Sequence, residues 1–271
     1  MHSRSLLCLV LLLGACSDPR TDTLQIPSAI TGDTYELEVM VPEDYAPSRP
    51  YPVVYVLDGY YHFSGLASYV SRERSSGRLD DFILVGIGYA GLDTGNISDI
   101  VEIAERRMVD LSWPEDPAGA ESGGGDLFHE ALVTELLPAL EAAYPVIPEA
   151  RTLMGHSLGG HFVLLDMLTF SPHDSSFSAL VSASPAIWWA DASLLQDEDL
   201  LAQSAEDLPF RLILGTGTLE GIEMNATAEV MVAQLRSRSY PSLKITTEHP
   251  VAGHMATAEH IFEAAISELY P

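Results

Sequence analysis

Seven short runs set the frame of this chain. Residues 34–41 (TYELEVMV) alternate polar and apolar positions, the mark of a half-buried strand, and Pro42 ends the run. Residues 51–57 (YPVVYVL) and 82–88 (FILVGIG) are continuous and rich in β-branched and aromatic residues, as in strands buried on both faces. Residues 151–154, 177–183, 210–215 and 244–248 continue the series. Helical spacing of apolar positions predicts helices over 126–144, 158–169, 222–238 and 257–269, the first opened by three glycines and expected to kink at Pro138. Strand alternating with amphipathic helix predicts the α/β class, a mostly parallel sheet with helices on both faces. Residues 18–26 read as a polar tether and 42–50 as a proline-rich loop. Residues 97–125 have weak periodicity and many prolines, glycines and charges. They read as a long functional or mobile loop, most flexible at 119–125. No internal repeat interrupts a single large domain.

The N-terminus follows a different pattern. Arg4 precedes an apolar run over 6–13, too short to span a bilayer as a helix, and Leu13-Gly14-Ala15-Cys16 comes next. That tetrapeptide resembles the lipobox of bacterial lipoproteins, which implies cleavage before Cys16 and a lipid on it. An ordinary signal peptide is the alternative. The expected organisation is a signal peptide over 1–15, a lipidated cysteine and tether over 16–29, and one domain over 30–271. Such a protein would be lipid-anchored in the bacterial envelope, facing the periplasm, or secreted. The two cysteines are Cys8 and Cys16, so the processed chain has no pair for a disulfide.

Charge narrows the partners. There are 39 acidic residues against 13 basic, and losing residues 1–15 removes Arg4 and moves the net charge from −26 to −27. No basic stripe is available to neutralise phosphates, so nucleic acid is not an expected partner. No compact metal motif, dinucleotide fingerprint or phosphate loop is present, so neither metal nor cofactor is expected.

The chemistry starts at Gly155-His156-Ser157-Leu158-Gly159, between a strand and a helix. A G-x-S-x-G in that setting reads as a nucleophile elbow: a sharp turn lifts the Ser157 hydroxyl above the sheet, and both glycines are expected to avoid collisions. A serine needs a base, and the base needs an orienting group. With a serine elbow on such a sheet, the acid comes next in the chain and the histidine follows the last strand. Of nine histidines, His254 stands in the loop after strand 244–248, with His249 as the rival. His2, His62, His129, His156, His161, His173 and His260 fall in the wrong elements, and His156 should point away from the serine's face. The expected acid is Glu220, just past the strand ending at Gly215; Glu223 is its rival, and a helix cap before residue 222 is the alternative role for Glu220. The oxyanion donors expected are the N–H groups of Leu158 and of Tyr60, with Gly59 allowing close approach. A plain strand-ending turn is the other reading of Asp58-Gly59.

Residues 51–59, 151–160 and 184–189 (SPAIWW), with Arg107-Met108-Val109-Asp110 and the following Leu111, resemble the putative esterase family of α/β-hydrolases. The nearest branch is that of the periplasmic trilactone siderophore esterases, and the resemblance runs from about residue 30 to the C-terminus. It implies the α/β-hydrolase fold and serine hydrolase chemistry on a small-molecule ester. The wider family includes feruloyl and acetyl-xylan esterases, S-formylglutathione hydrolases and mycolyltransferases, so acyl transfer is an alternative to hydrolysis. Some members of the siderophore branch work with a serine–histidine pair alone, and Ser184-Pro185-Ala186 departs from the usual S-P-S. A non-catalytic envelope binding lipoprotein is the third reading. Trp188 and Trp189 are candidates to line the substrate pocket or to be core. Arg106 and Arg107 are candidates to bind an anionic substrate or to pair with Glu102, Glu105 or Asp110.

Overall fold

The computed structural model describes residues 20–116, 121–172, 175–204 and 207–271. The proposed signal peptide, Cys16, His173 and part of the segment 119–125 lie outside the described residues.

The strands are β1 (Thr21–Pro27), β2 (Thr34–Met40), β3 (Tyr51–Leu57), β4 (Ile83–Tyr89), β5 (Val146–His156), β6 (Ala179–Ala183), β7 (Arg211–Gly215) and β8 (Lys244–Glu248). They form one sheet in the order β1-β2-β4-β3-β5-β6-β7-β8. β1 and β2 are antiparallel to their neighbours, and β3 to β8 run parallel. The helices are α1 (Gly59–Ser75), α2 (Ile97–Asp110), α3 (Gly125–Ala131), α4 (Leu137–Ala143), α5 (Leu158–Leu165), α6 (Trp189–Leu201), α7 (Ile222–Ser237) and α8 (His254–Leu269).

Period-two alternation builds the two sides of the core. Val53, Tyr55 and Leu57 of β3 face one apolar cluster, with Leu153, Phe162 and Leu214. Val54 and Val56 face the other, where Phe63 and Val70 of α1 meet Phe262 and Ile266 of α8. Pro52 sits where the β3–β5 register shifts between Tyr51 and Val53, a place that tolerates a missing N–H donor.

Three expectations change. Residues 21–27 are no tether: β1 pairs with β2 along its whole length and closes that edge of the sheet, so the domain starts ahead of residue 30. Residues 97–110 are no loop but α2, capped by the Asn96 side chain on the Ser98 N–H. Its apolar residues do not mark one buried face: Ile103 is buried, whereas Ile97, Ile100 and Val101 are exposed. The helix read over 126–144 does not run as uninterrupted α-helix into Pro138. A π-helical turn, Leu132–Leu136, absorbs the proline instead, and the Leu137 N–H reaches the Leu132 carbonyl five residues back. A second such turn, Asp166–Phe170, ends the helix after the elbow.

Candidate active site

The C-terminal ends of β3, β5, β7 and β8 bring the sequence candidates to one edge of the sheet. Ser157 caps α5 directly after β5 with φ 58° and ψ −116°, a backbone state that ordinary residues avoid. Hydrogen bonds hold it there: its N–H donates to Ala183 O (3.0 Å), and its own carbonyl accepts from His161 N–H (2.9 Å) and Ala186 N–H (3.0 Å). The elbow's glycines are not equivalent. A Cβ at Gly155 would lie 2.1 Å from Gly159 O, whereas one at Gly159 would meet nothing closer than 3.4 Å. The expected collision therefore holds at Gly155 and not at Gly159. The other crowded position is Gly160, 2.9 Å from Ala183 O.

His254 is the first residue of α8, which starts three residues earlier than its apolar spacing suggests. Its Nδ1 lies 2.8 Å from Glu220 Oε2, which leaves Nε2 for a substrate-side partner. Its ring centroid is 4.5 Å from that of His156, the residue before the serine. The His156 Nε2–H donates to the His254 carbonyl at 3.0 Å. Burial, with His254 and His62 nearby, pushes the His156 ring down to about 3, so it is a neutral donor.

Glu220 follows β7 and its carboxylate is buried. It accepts from Ser184 Oγ (2.6 Å) and the Gly217 N–H (2.6 Å) besides His254. Burial alone would raise this carboxyl. The Ser184 hydroxyl, His254, the Gly217 N–H and the Thr257 hydroxyl outweigh it and hold it below the ordinary range. The helix-cap reading fails: α7 is capped by Gly221 with no side-chain hydrogen bond. Glu223 is exposed on the first turn of α7, and His249 lines a groove beside that helix.

Leu158 and Tyr60 lie in the first turns of α5 and α1, where a helix N–H has no acceptor four residues back. Neither donates to another described backbone group. Two helix N-termini thus face the sheet edge beside Ser157, a setting suited to developing negative charge.

The sequence profile of the putative esterase family matches residues 28–264. The chain belongs to the putative esterase family. Among curated relatives, the ferri-bacillibactin esterase of Bacillus subtilis is 28% identical over 212 residues, 74% of this chain and 71% of its own. The siderophore triacetylfusarinine C esterase of Aspergillus fumigatus is 31% identical over 61% of this chain and 56% of its own, so the match there spans little more than half of that relative. Among solved structures, the BES protein from Bacillus cereus superposes with a TM-score of 0.78 at 24% identity, over 96% of this chain and 98% of that one. The fold is that of the α/β-hydrolases, and the chain is an esterase by family.

Three of the residues expected to bind substrate have structural contacts of their own. A Cβ on Gly59 would strike Gly86 backbone at 2.7 Å, so its bareness serves the packing of α1 on β4. Trp189 is core, its Nε1–H donating to Pro114 O at 3.0 Å, while Trp188 is exposed. Arg107 pairs with none of Glu102, Glu105 or Asp110. Its guanidinium makes a two-pronged pair with buried Asp58, at 3.0 and 2.7 Å. Arg106 does take Glu102 (2.6 Å), and Asp33 besides (2.9 Å).

The Asp58–Arg107 pair and the Ser184–Glu220 bond were not visible in the sequence. Asp58 holds a left-handed conformation, φ 55° and ψ 44°, and caps α1 one residue before Gly59. Tyr60 Oη donates to Asp58 Oδ1 at 2.6 Å. Arg107 and the Tyr60 hydroxyl overcome burial and keep the Asp58 carboxyl below the usual range. The turn that carries the Tyr60 N–H is therefore fixed by a charged clamp from α2. A buried carboxylate needs such a partner, and the family resemblance at Arg107 was the one available signal.

Proposed function

We propose that this esterase hydrolyses small-molecule carboxylic esters through an acyl-enzyme on Ser157. In this reading, Ser157 Oγ attacks the ester carbonyl while His254 Nε2 takes its proton. The Leu158 and Tyr60 N–H groups hold the oxyanion. His254 returns the proton to the leaving alcohol, and water then reverses the sequence to release the acid. Glu220 orients the ring and stabilises its positive charge. The observation that carries the proposal is the 2.8 Å His254–Glu220 pair beside a serine held at positive φ. The relatives' names point to siderophore esters as the substrate class.

The test is turnover of a short-chain nitrophenyl ester, followed by a panel of a siderophore trilactone, an acetylated sugar and a feruloyl ester. The proposal expects nitrophenolate release that disappears in Ser157→Ala and is strongest among the panel for the trilactone. No turnover of any ester would favour a binding protein. We also propose that Cys16 carries the lipid of an envelope lipoprotein. The support is the lipobox-like sequence Leu13-Gly14-Ala15-Cys16. Cys16→Ser should move the protein from the membrane to the soluble fraction; an unchanged distribution would contradict the anchor.

A further inference from the structure

The edge of the sheet that carries Ser157 differs in charge and polarity from the rest of the molecule. Of the basic residues described, only Arg106 and Arg107 belong to an element at that edge. Arg49 precedes β3, Arg72, Arg74 and Arg78 cluster at the end of α1, and Arg151, midway along β5, pairs with Val53 near the start of β3. Arg211 and Lys244 begin β7 and β8, while Arg236 and Arg238 end α7. Arg20 sits beside β1, whose Thr21 pairs with Met40 at the same far end. Parallel strands put all of these starts, and the helix ends that return to them, at the edge opposite the serine.

Both arginines near the site are already engaged. Arg107 spends its guanidinium on Asp58, and Arg106 pairs with Asp33 and Glu102. The acids around them outnumber them: Glu105 on α2, Asp191 after the tryptophans and Glu223 on α7 add to the field. Among the described residues, no arginine or lysine at this edge is without a carboxylate partner.

The loops at that edge instead expose large apolar side chains. Tyr61 follows Tyr60, and Trp188 lies in the loop after β6. Leu219 and Ile222 bracket Glu220 at 69% and 88% exposure, and Val251 and Met255 bracket His254 at 80% and 71%. The segments that follow β3, β6, β7 and β8 therefore each present an apolar residue to solvent, while Leu158 of the elbow after β5 stays buried. Leaving such residues exposed around a reactive centre is a feature of ligand sites.

We infer that the ester taken by this site carries apolar arms and no negative charge. The inference rests on the esterase reading above. For siderophore-type esters it selects an uncharged hydroxamate or a neutral metal-free form over an iron tris-catecholate, which is trianionic. An acidic rim lowers the local concentration of an anion and its encounter rate, and added salt screens that effect.

Two nitrophenyl esters of equal carbon count separate the contributions: the hexanoate, neutral and apolar, and the adipate half-ester, which ends in a carboxylate. With the full-length protein at low ionic strength, kcat/KM for the adipate should be at least about 10-fold below that for the hexanoate. The gap should narrow as salt rises, and also in Leu219→Arg, which puts a cation on the rim. The acetate should be a poorer substrate than the hexanoate. Equal kcat/KM for adipate and hexanoate at low salt would overturn the charge selection, and equal values for acetate and hexanoate would overturn the apolar arm. Either result would leave the esterase reading standing. No turnover of any of the three would remove the esterase reading and this inference with it.

Discussion

Glu220 is held by two neighbours before it meets His254: the Ser184 hydroxyl and the Gly217 N–H. A carboxylate so fixed pre-orients the ring and needs no rearrangement when the imidazolium forms. Glu220→Gln should therefore lower kcat by on the order of 10² or more with KM little changed. Steady-state kinetics and the melting temperature of the same variant check this. Normal turnover with a lowered melting temperature would contradict the orienting role. At this scale the turn at Ser157 and the pairing of His254 with Glu220 were legible because each of the three follows a strand end in the order the sequence reading expects. Arg107 and Asp58 were not, because they meet across 49 residues and neither sits in a motif that names the other. Removing the cation should show what the pair contributes. Arg107→Ala strands a buried carboxylate and is expected to cost about 3–5 kcal/mol of unfolding free energy, measured by denaturant titration. A loss under about 1 kcal/mol would mean that Asp58 finds water or another donor.

The elbow depends on two contacts of unequal severity. Gly155 has Gly159 O at 2.1 Å from any Cβ, and that oxygen is backbone that cannot move without unwinding α5. At Gly159 the nearest atoms, on Asp58 and Leu57, are at ordinary contact distance. Gly155→Ala should abolish soluble, active protein, while Gly159→Ala should keep the fold within about 1 kcal/mol. Circular dichroism and melting curves of the two variants decide it, and equal behaviour of the pair would contradict the reading. The central parallel strands β3, β4, β6 and β7 were legible because their apolar runs are nearly continuous. β1 was not, because an edge strand buries one side, and five of its seven residues are polar or proline. α2 was missed because Ile97, Ile100 and Val101 are apolar yet exposed, which blurs the spacing of its buried side. The π-helical turns leave no sequence mark beyond Pro138 itself.

The whole molecule places three histidines in surroundings that resist charge. Burial lowers His156 to about 3 and His161 to about 4, and lowers His62 as well. Unfolded, each takes a proton near 6.5. The unfolded chain thus binds more protons between these values, so the stability these groups contribute is full above pH 6.5 and is lost as pH falls toward about 3. Asp110 acts in the opposite sense. Burial raises it to about 6, so its ionisation costs stability as pH rises through that value. Glu38, Asp197 and Glu263 are raised like Asp110, while the lowered Asp58 and Glu220 act with the histidines. The low values of His156 and His161 predict a melting temperature that falls from pH 7 to pH 4, with a shallower fall in His156→Gln. A flat or rising profile would contradict the neutral buried histidines. The central claim is that Ser157 is a nucleophile activated by His254. Treatment with a fluorophosphonate, read by intact mass and peptide mapping, tests it most directly. The account predicts one label per chain, on the peptide containing Ser157, absent in Ser157→Ala and strongly slowed in His254→Ala. No label, or a label that survives Ser157→Ala, would contradict it.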